Sequence, residues 1–160
     1  MADQSDQFAA AVRQAANRSE VSSAIALIHQ QLQERIDQRQ PICVASGKCC
    51  QFERYGHRLY ITTAEMAAFV ASHGQLPRPP ANADWDRTGC PFQIGRLCGV
   101  HAIRPFGCRI FFCDPTATEW QQQEYEKFHR QIKDLHQTLL IPYFYMEWRQ
   151  ALINLNLISI

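Results

Sequence analysis

The 160-residue chain lacks any long apolar run. Its longest stretches, such as LLIPYFYM at 139–146, fall short of the roughly 20 apolar residues that a membrane-crossing helix needs. The first residues, MADQSDQFAAAVRQ, carry acids early and lack the apolar block of a secretory signal. Charge of either sign is also scarce in net terms. The formal balance is +1, so no bulk field draws nucleic acid or an anionic membrane. The arginines are scattered, and no stacking-platform motif accompanies them. Missing too are a GxGxxG nucleotide loop, a GxSxG nucleophile elbow and an HExxH zinc helix. Internal repeats and low-complexity tracts are absent. The expectation is a soluble, cytoplasmic, single-domain chain spanning 1–160, with no membrane and no nucleic-acid partner.

Thiols, by contrast, are abundant and crowded. The segment CVASGKCC, residues 43–50, holds three of the seven cysteines, two of them adjacent. A packed core gains nothing from such crowding, whereas a ligand that several sulfurs must reach together demands it. The full set is Cys43, Cys49, Cys50, Cys90, Cys98, Cys108 and Cys113. In a reducing compartment clustered thiols bind metal or catalyse more often than they form disulfides. An odd count also fits a complete disulfide set badly. Soft thiolate suits zinc, Cu(I) and iron–sulfur clusters. No pair has the CxxC spacing of a zinc ribbon, so spacing leaves the metal open. His101, three residues after Cys98, and His57, seven after Cys50, are secondary ligand candidates. The plain alternative for each cysteine is a small buried core residue.

The surrounding charge fits ionised sulfur. Residues 43–113 carry eight basic residues against four acids, a local net of +4, which leaves −3 on the flanks. Cationic side chains stabilise thiolates nearby. Arg104 and Arg109 are the candidates for contacting the sulfurs or a bound cluster; the alternative is that they tie loops to backbone carbonyls.

The fold reads as mainly α: a helical shell around an irregular cysteine-rich, metal-binding centre with a small β-hairpin. Residues 1–42 form a helical segment. Phe8, Ala11, Val12 and Ala15, then Val21, Ile25, Ile28, Leu32 and Ile36, recur at helical spacing. A break is expected at Asn17–Ser19 with Ser19 as N-cap, and an end at Gln40–Pro41. Residues 43–113 are the cysteine core. His57–Ile61 is a candidate strand, and Thr62-Thr63-Ala64-Glu65 a capping box opening a helix to His73. GQLPRPPANAD is a proline-rich loop, and CPFQIGRLCGVHA a hairpin turning at Gly95–Arg96. Residues 114–160 return to helix. A second capping box is read at Thr116–Glu119, followed by a stripe of Trp120, Phe128, Ile132, Leu135 and Leu139. Pro142 is placed in the first turn of a final helix through Met146, Trp148, Leu152 and Leu155. Tyr55 and Tyr60 read as packing residues.

These motifs together resemble the YkgJ-type CxxCxxCC cysteine-cluster family, described as a zinc- or iron-chelating domain. Cys43, Cys49 and Cys50 match its first cluster. Cys90-Pro91 matches its Cys-Pro, Cys98 closes its hairpin, and Arg104-Pro105 with Cys108-Arg109 matches its last motif. The resemblance covers 43–113, under half the chain. Ser46 stands where that pattern has its second cysteine. Serine is a poor soft-metal ligand, so Cys113, with His101 behind it, is the expected substitute. The resemblance implies a metal-binding protein holding a four-iron cluster or zinc, for redox, sensing or metal handling. Seven cysteines exceed what one structural zinc needs, which favours iron–sulfur. Two alternatives stand beside it. One is a zinc-stabilised interaction module with a protein partner, for which an exposed apolar NLNLISI tail would speak. The other is a protein-modifying enzyme, because the pattern also occurs in proteins described as flagellin lysine-methylating factors. A Cys50–His57 nucleophilic pair is the local form that an enzyme reading takes.

Overall fold

A computed structural model describes residues 3–73 and 85–158. The proline-rich loop, residues 74–84, lies outside the described residues. Two amphipathic helices open the chain: α1, Gln4–Ala16, and α2, Ser19–Arg39. Each buries the apolar stripe expected of it. The break falls where the sequence places it, but Ser19 is the first helical residue and Arg18 the cap, with no side-chain cap bond. Arg18 instead donates to Glu20 and to the Leu139 carbonyl, so its extended backbone is held by contacts made elsewhere. Helix α2 ends at Gln40 in a left-handed conformation, φ 54°, whose N–H reaches back to the Ile36 carbonyl.

After the cysteine loop come a short helix α3, Phe52–Tyr55, the strand β1, Tyr60–Thr62, and helix α4, Thr63–His73. The capping box forms. Glu65 N donates to Thr62 Oγ1 at 3.3 Å, and Thr62 N donates to Glu65 Oε2 at 3.1 Å. Helix α4 is apolar nearly all round, with Ala64, Met66, Ala67, Ala68 and Phe69 buried. Such a helix belongs inside. It packs against both α1 and α2 and makes the centre of the shell.

The hairpin is present: β2, Gln93–Ile94, pairs with β3, Leu97–Cys98, and Gly95 turns it with φ 61°. Helix α5, Phe106–Arg109, is one turn. Helix α6, Thr118–Thr138, carries the predicted stripe; Phe128 and Ile132 are buried, and Trp120, Leu135 and Leu139 pack at its edge. Its capping box does not form. Asp114 takes the Thr116 N–H at 2.9 Å and the Thr116 hydroxyl at 2.6 Å, capping a separate 3-10 turn instead.

The last segment departs most from expectation. Pro142 precedes a strand, β4, Tyr145–Glu147, and only then does α7, Trp148–Asn154, begin. Strand β4 pairs antiparallel with β1, Tyr60 opposite Glu147 and Thr62 opposite Tyr145. Aromatic residues suit a strand, and the Trp148 N–H to Leu59 carbonyl bond at 2.8 Å extends the pairing. Tyr60 and Tyr145 stack on the exposed face, so Tyr60 lies at the surface rather than in the core, as does Tyr55. The described part of the tail is not an exposed patch: Ile158 is buried, and Leu155 and Leu157 pack on the core.

Candidate metal centre

Four separate segments carry the cysteines, and each is docked through its backbone. The 43–50 loop turns at Gly47, φ 74°. A Cβ there would sit 2.7 Å from Gln93 Nε2 and 3.1 Å from Arg96 Cα, so only glycine lets the loop lie on the hairpin. Gln93 Nε2 donates to the Gly47 carbonyl at 3.0 Å, which locks that contact. The Cys90 N–H donates to the Cys50 carbonyl at 2.7 Å. A Cβ on Gly89 would lie 2.6 Å from that same oxygen, so the glycine before Cys90 permits the approach. Helix α5, with Cys108, is held by Glu65, whose Oε1 accepts the Phe106 N–H at 3.1 Å.

These contacts bring all seven cysteines to the lining of one cavity of about 200 Å³. They divide into two groups. Cys49, Cys50, Cys90, Cys98 and Cys108 sense one another electrostatically. Hydrogen-bonding proximity to Cys50 draws Cys49 down to about 6 and Cys98 down to about 7, and it lowers Cys90 as well. The Cys50 thiol is held above its ordinary value by those same neighbours. Burial, and then the negative charge of Cys90, Cys98 and Cys49, pushes Cys108 well up. The indole N–H of Trp148 donates to Cys90 Sγ at 3.4 Å. All seven cysteines are free thiols.

Cys43 and Cys113 are exposed and form the outer group. Asp114 joins their segments by accepting the Ile42 N–H at 3.0 Å. Cys113 Sγ stands 3.9 Å from Ser46 Oγ. His101 lines the same cavity but is exposed. His57 does not engage a thiol as base. Its Nε2 donates to the Cys49 carbonyl at 3.2 Å, and its ring stacks on Phe111.

Arg104 and Arg109 act mainly through the backbone. Arg104 donates to the His101 carbonyl at 2.8 Å, and Arg109 to the Arg104 and Ala102 carbonyls, each at 2.9 Å. They thereby shape the loop between Cys98 and Cys108. The positive charge of Arg104 still reaches Cys49 and Cys98 and favours their thiolates. Sequence reasoning missed Trp148, Gln93 and Glu65 as supports of the centre. Only Glu65 carried a signal, its capping box; the partners of the other two are remote in sequence.

Among the described residues, no group of three or more His, Cys, Asp or Glu side chains stands ready to hold a metal ion. The donor chemistry fits a soft metal nonetheless: several thiols line one cavity, and the charge of Arg104 favours ionisation of Cys49 and Cys98. The chain matches no family model, no curated protein and no solved structure.

Proposed function

We propose that this chain is a metal-binding protein of the YkgJ type, which holds an iron–sulfur cluster or zinc through clustered thiolates. The observation that carries the reading is the convergence of Cys49, Cys50, Cys90, Cys98 and Cys108 into one electrostatically coupled group beside a shared cavity. Cys43 and Cys113 line the same cavity, and the 3.9 Å between Cys113 Sγ and Ser46 Oγ supports Cys113 as the substitute ligand. Five inner sulfurs supply the four ligands of either a closed zinc site or a four-iron cluster. When bound, such a group supplies one-electron chemistry or a sensing function. The chain's own part is to hold thiolates, to place Arg104 beside them, and to orient Cys90 through the Trp148 N–H.

A specific observation favours docking of a partner at this centre. Ile42, Val44, Ile94 and Leu97 are exposed large apolar residues on the two segments that frame the cavity, and Val44 and Leu97 line it. Apolar residues around a metal site suit a protein that hands over electrons or metal.

The test is anaerobic purification with a visible spectrum and iron, acid-labile sulfide and zinc per chain. Brown protein with matched iron and sulfide supports the cluster. Colourless protein with one zinc moves the reading to a structural or interaction role. Absence of both metals, also after reconstitution, overturns it. Cys50→Ser and Cys90→Ser are expected to abolish loading, whereas Cys43→Ser retains most of it.

A further inference from the structure

A second cavity, of about 340 Å³, adjoins the cysteine cavity and shares Cys49, Phe52, Cys108 and Phe111 with it. Apart from Cys49 and Cys108, its lining side chains are not thiols. Its walls are two stacked pairs: His57 on Phe111, centroids 5.0 Å apart, and Tyr60 on Tyr145, 5.2 Å apart. Four of the chain's five tyrosines gather around this region, and three of them line the cavity. The hydroxyls of Tyr125 and Tyr145 share a short hydrogen bond, which leaves one O–H free to donate. Burial raises both phenols above their ordinary range, so they stay neutral donors.

Arg58 is exposed at the cavity's edge, and among the described residues no Asp or Glu lines it, although the charge of buried Glu65 reaches Tyr125 and Tyr145. Among the described residues Arg58 makes no hydrogen bond and no ion pair. Arg54 and Arg149, by contrast, are both engaged. Thr118 and Gln121 of the first turn of α6 also line the cavity.

From this cavity we infer a binding site for a small planar organic carboxylate, of about one aromatic ring. The volume lies at the lower end of small-ligand pockets. Aromatic walls favour a flat ring, at offset or edge contact. A single planar guanidinium can take a carboxylate bidentately, whereas phosphate sites commonly add a nest of backbone N–H groups. Bound there, the ring lies against the segments that carry Cys49 and Cys108, next to the sulfur centre. The inference does not rest on the metal reading, because every group invoked belongs to the walls.

The test is calorimetry and saturation-transfer NMR on the purified full-length protein, with benzoate as probe and benzamide and acetate as matched controls. Benzoate is expected to bind. Acetate, which lacks the ring, binds more than about tenfold more weakly, and benzamide, which lacks the charge, about fivefold more weakly. Arg58→Gln weakens benzoate about fivefold, while Arg54→Gln, outside the cavity, leaves it unchanged. Arg58 is exposed, so neither substitution threatens folding. Failure of benzoate to bind, equal binding of benzamide, or an equal loss in both variants overturns the proposal. Metal per chain, measured in each preparation, stays the same in Arg58→Gln. A metal-free result with benzoate bound would therefore count against the sulfur centre alone.

Discussion

Replacing Glu65 tests whether the shell and the sulfur centre are one mechanical unit. Its side chain is 3% exposed and accepts three hydrogen bonds: Thr62 N at 3.1 Å, Thr62 Oγ1 at 2.9 Å and Phe106 N at 3.1 Å. The first two close the capping box of α4; the third holds the turn that carries Cys108. Glu65→Ala leaves two buried N–H donors without partners, at about 1–3 kcal/mol each. Relief of the carboxylate's own desolvation offsets part of that. The net expectation is a loss of about 2–4 kcal/mol in urea unfolding, together with weaker metal retention. The pH dependence gives an independent sign. Burial raises the Glu65 carboxyl above its ordinary value despite the three donors. A group with a raised folded-state pKa contributes stability fully below its unfolded pKa, and that contribution is lost as pH rises through the folded value. The wild type's advantage over Glu65→Ala therefore narrows as pH rises from the ordinary carboxyl range. A variant that unfolds within about 0.5 kcal/mol of wild type, or an advantage that widens with pH, would refute the reasoning.

Four further outcomes are expected. Gly89→Ala forces a Cβ to 2.6 Å from the Cys50 carbonyl, and it costs about 1–3 kcal/mol and metal retention. Gly56→Ala, at φ 67° but in open space, costs about 1 kcal/mol and leaves metal content unchanged, as denaturant curves and metal analysis would show. His29 is held neutral down to about 3, first by burial and then by the charges of Arg109 and Arg104. A histidine with a depressed folded-state pKa loses stability as pH falls below its unfolded value of about 6.5. His29→Leu is thus expected to flatten the stability curve between about pH 6.5 and pH 3, and an unchanged slope would count against it. Metal removal by a chelator is expected to leave most of the far-UV helical signal, because α1, α2, α4 and α6 pack on one another through a largely aliphatic and aromatic core in which the cysteines are a minority. Collapse to a coil spectrum would instead make this a metal-dependent fold.

Much of the shell was legible, because burial repeats with the helical period. Val21, Ile25, Ile28, Leu32 and Ile36 announce α2 and are its buried residues. The Thr62–Glu65 box was legible because both partners lie within four residues. Its apparent twin at Thr116–Glu119 misled, since Asp114, two residues upstream, offers Thr116 a stronger acceptor. Strand β4 was illegible for a different reason. Its partner β1 lies more than eighty residues earlier, and no local period in YFYM distinguishes a strand from a helix turn. The cysteines were legible as a group, but not their division. Nothing in spacing separates Cys50, buried, from Cys43, exposed. That difference arises from which segment finds a backbone anchor.

The anchors explain how an irregular centre keeps its thiols close. Cys50 and Cys90 meet through a carbonyl and an N–H as well as through their thiols. Gly47 meets the hairpin through Gln93, and Cys108 is placed by Glu65 through the Phe106 N–H. In each case a backbone group of the segment is held by a hydrogen bond, with the backbone of Cys90 or with the side chain of Gln93 or Glu65. Segments held this way keep their thiols near one another, so on the proposed reading less of the binding energy would go into ordering the loops. Asp114 tethers the Cys113 segment to Ile42, beside Cys43, and both cysteines are exposed. On that reading the inner sulfurs, not the outer pair, are the ones that would hold the metal.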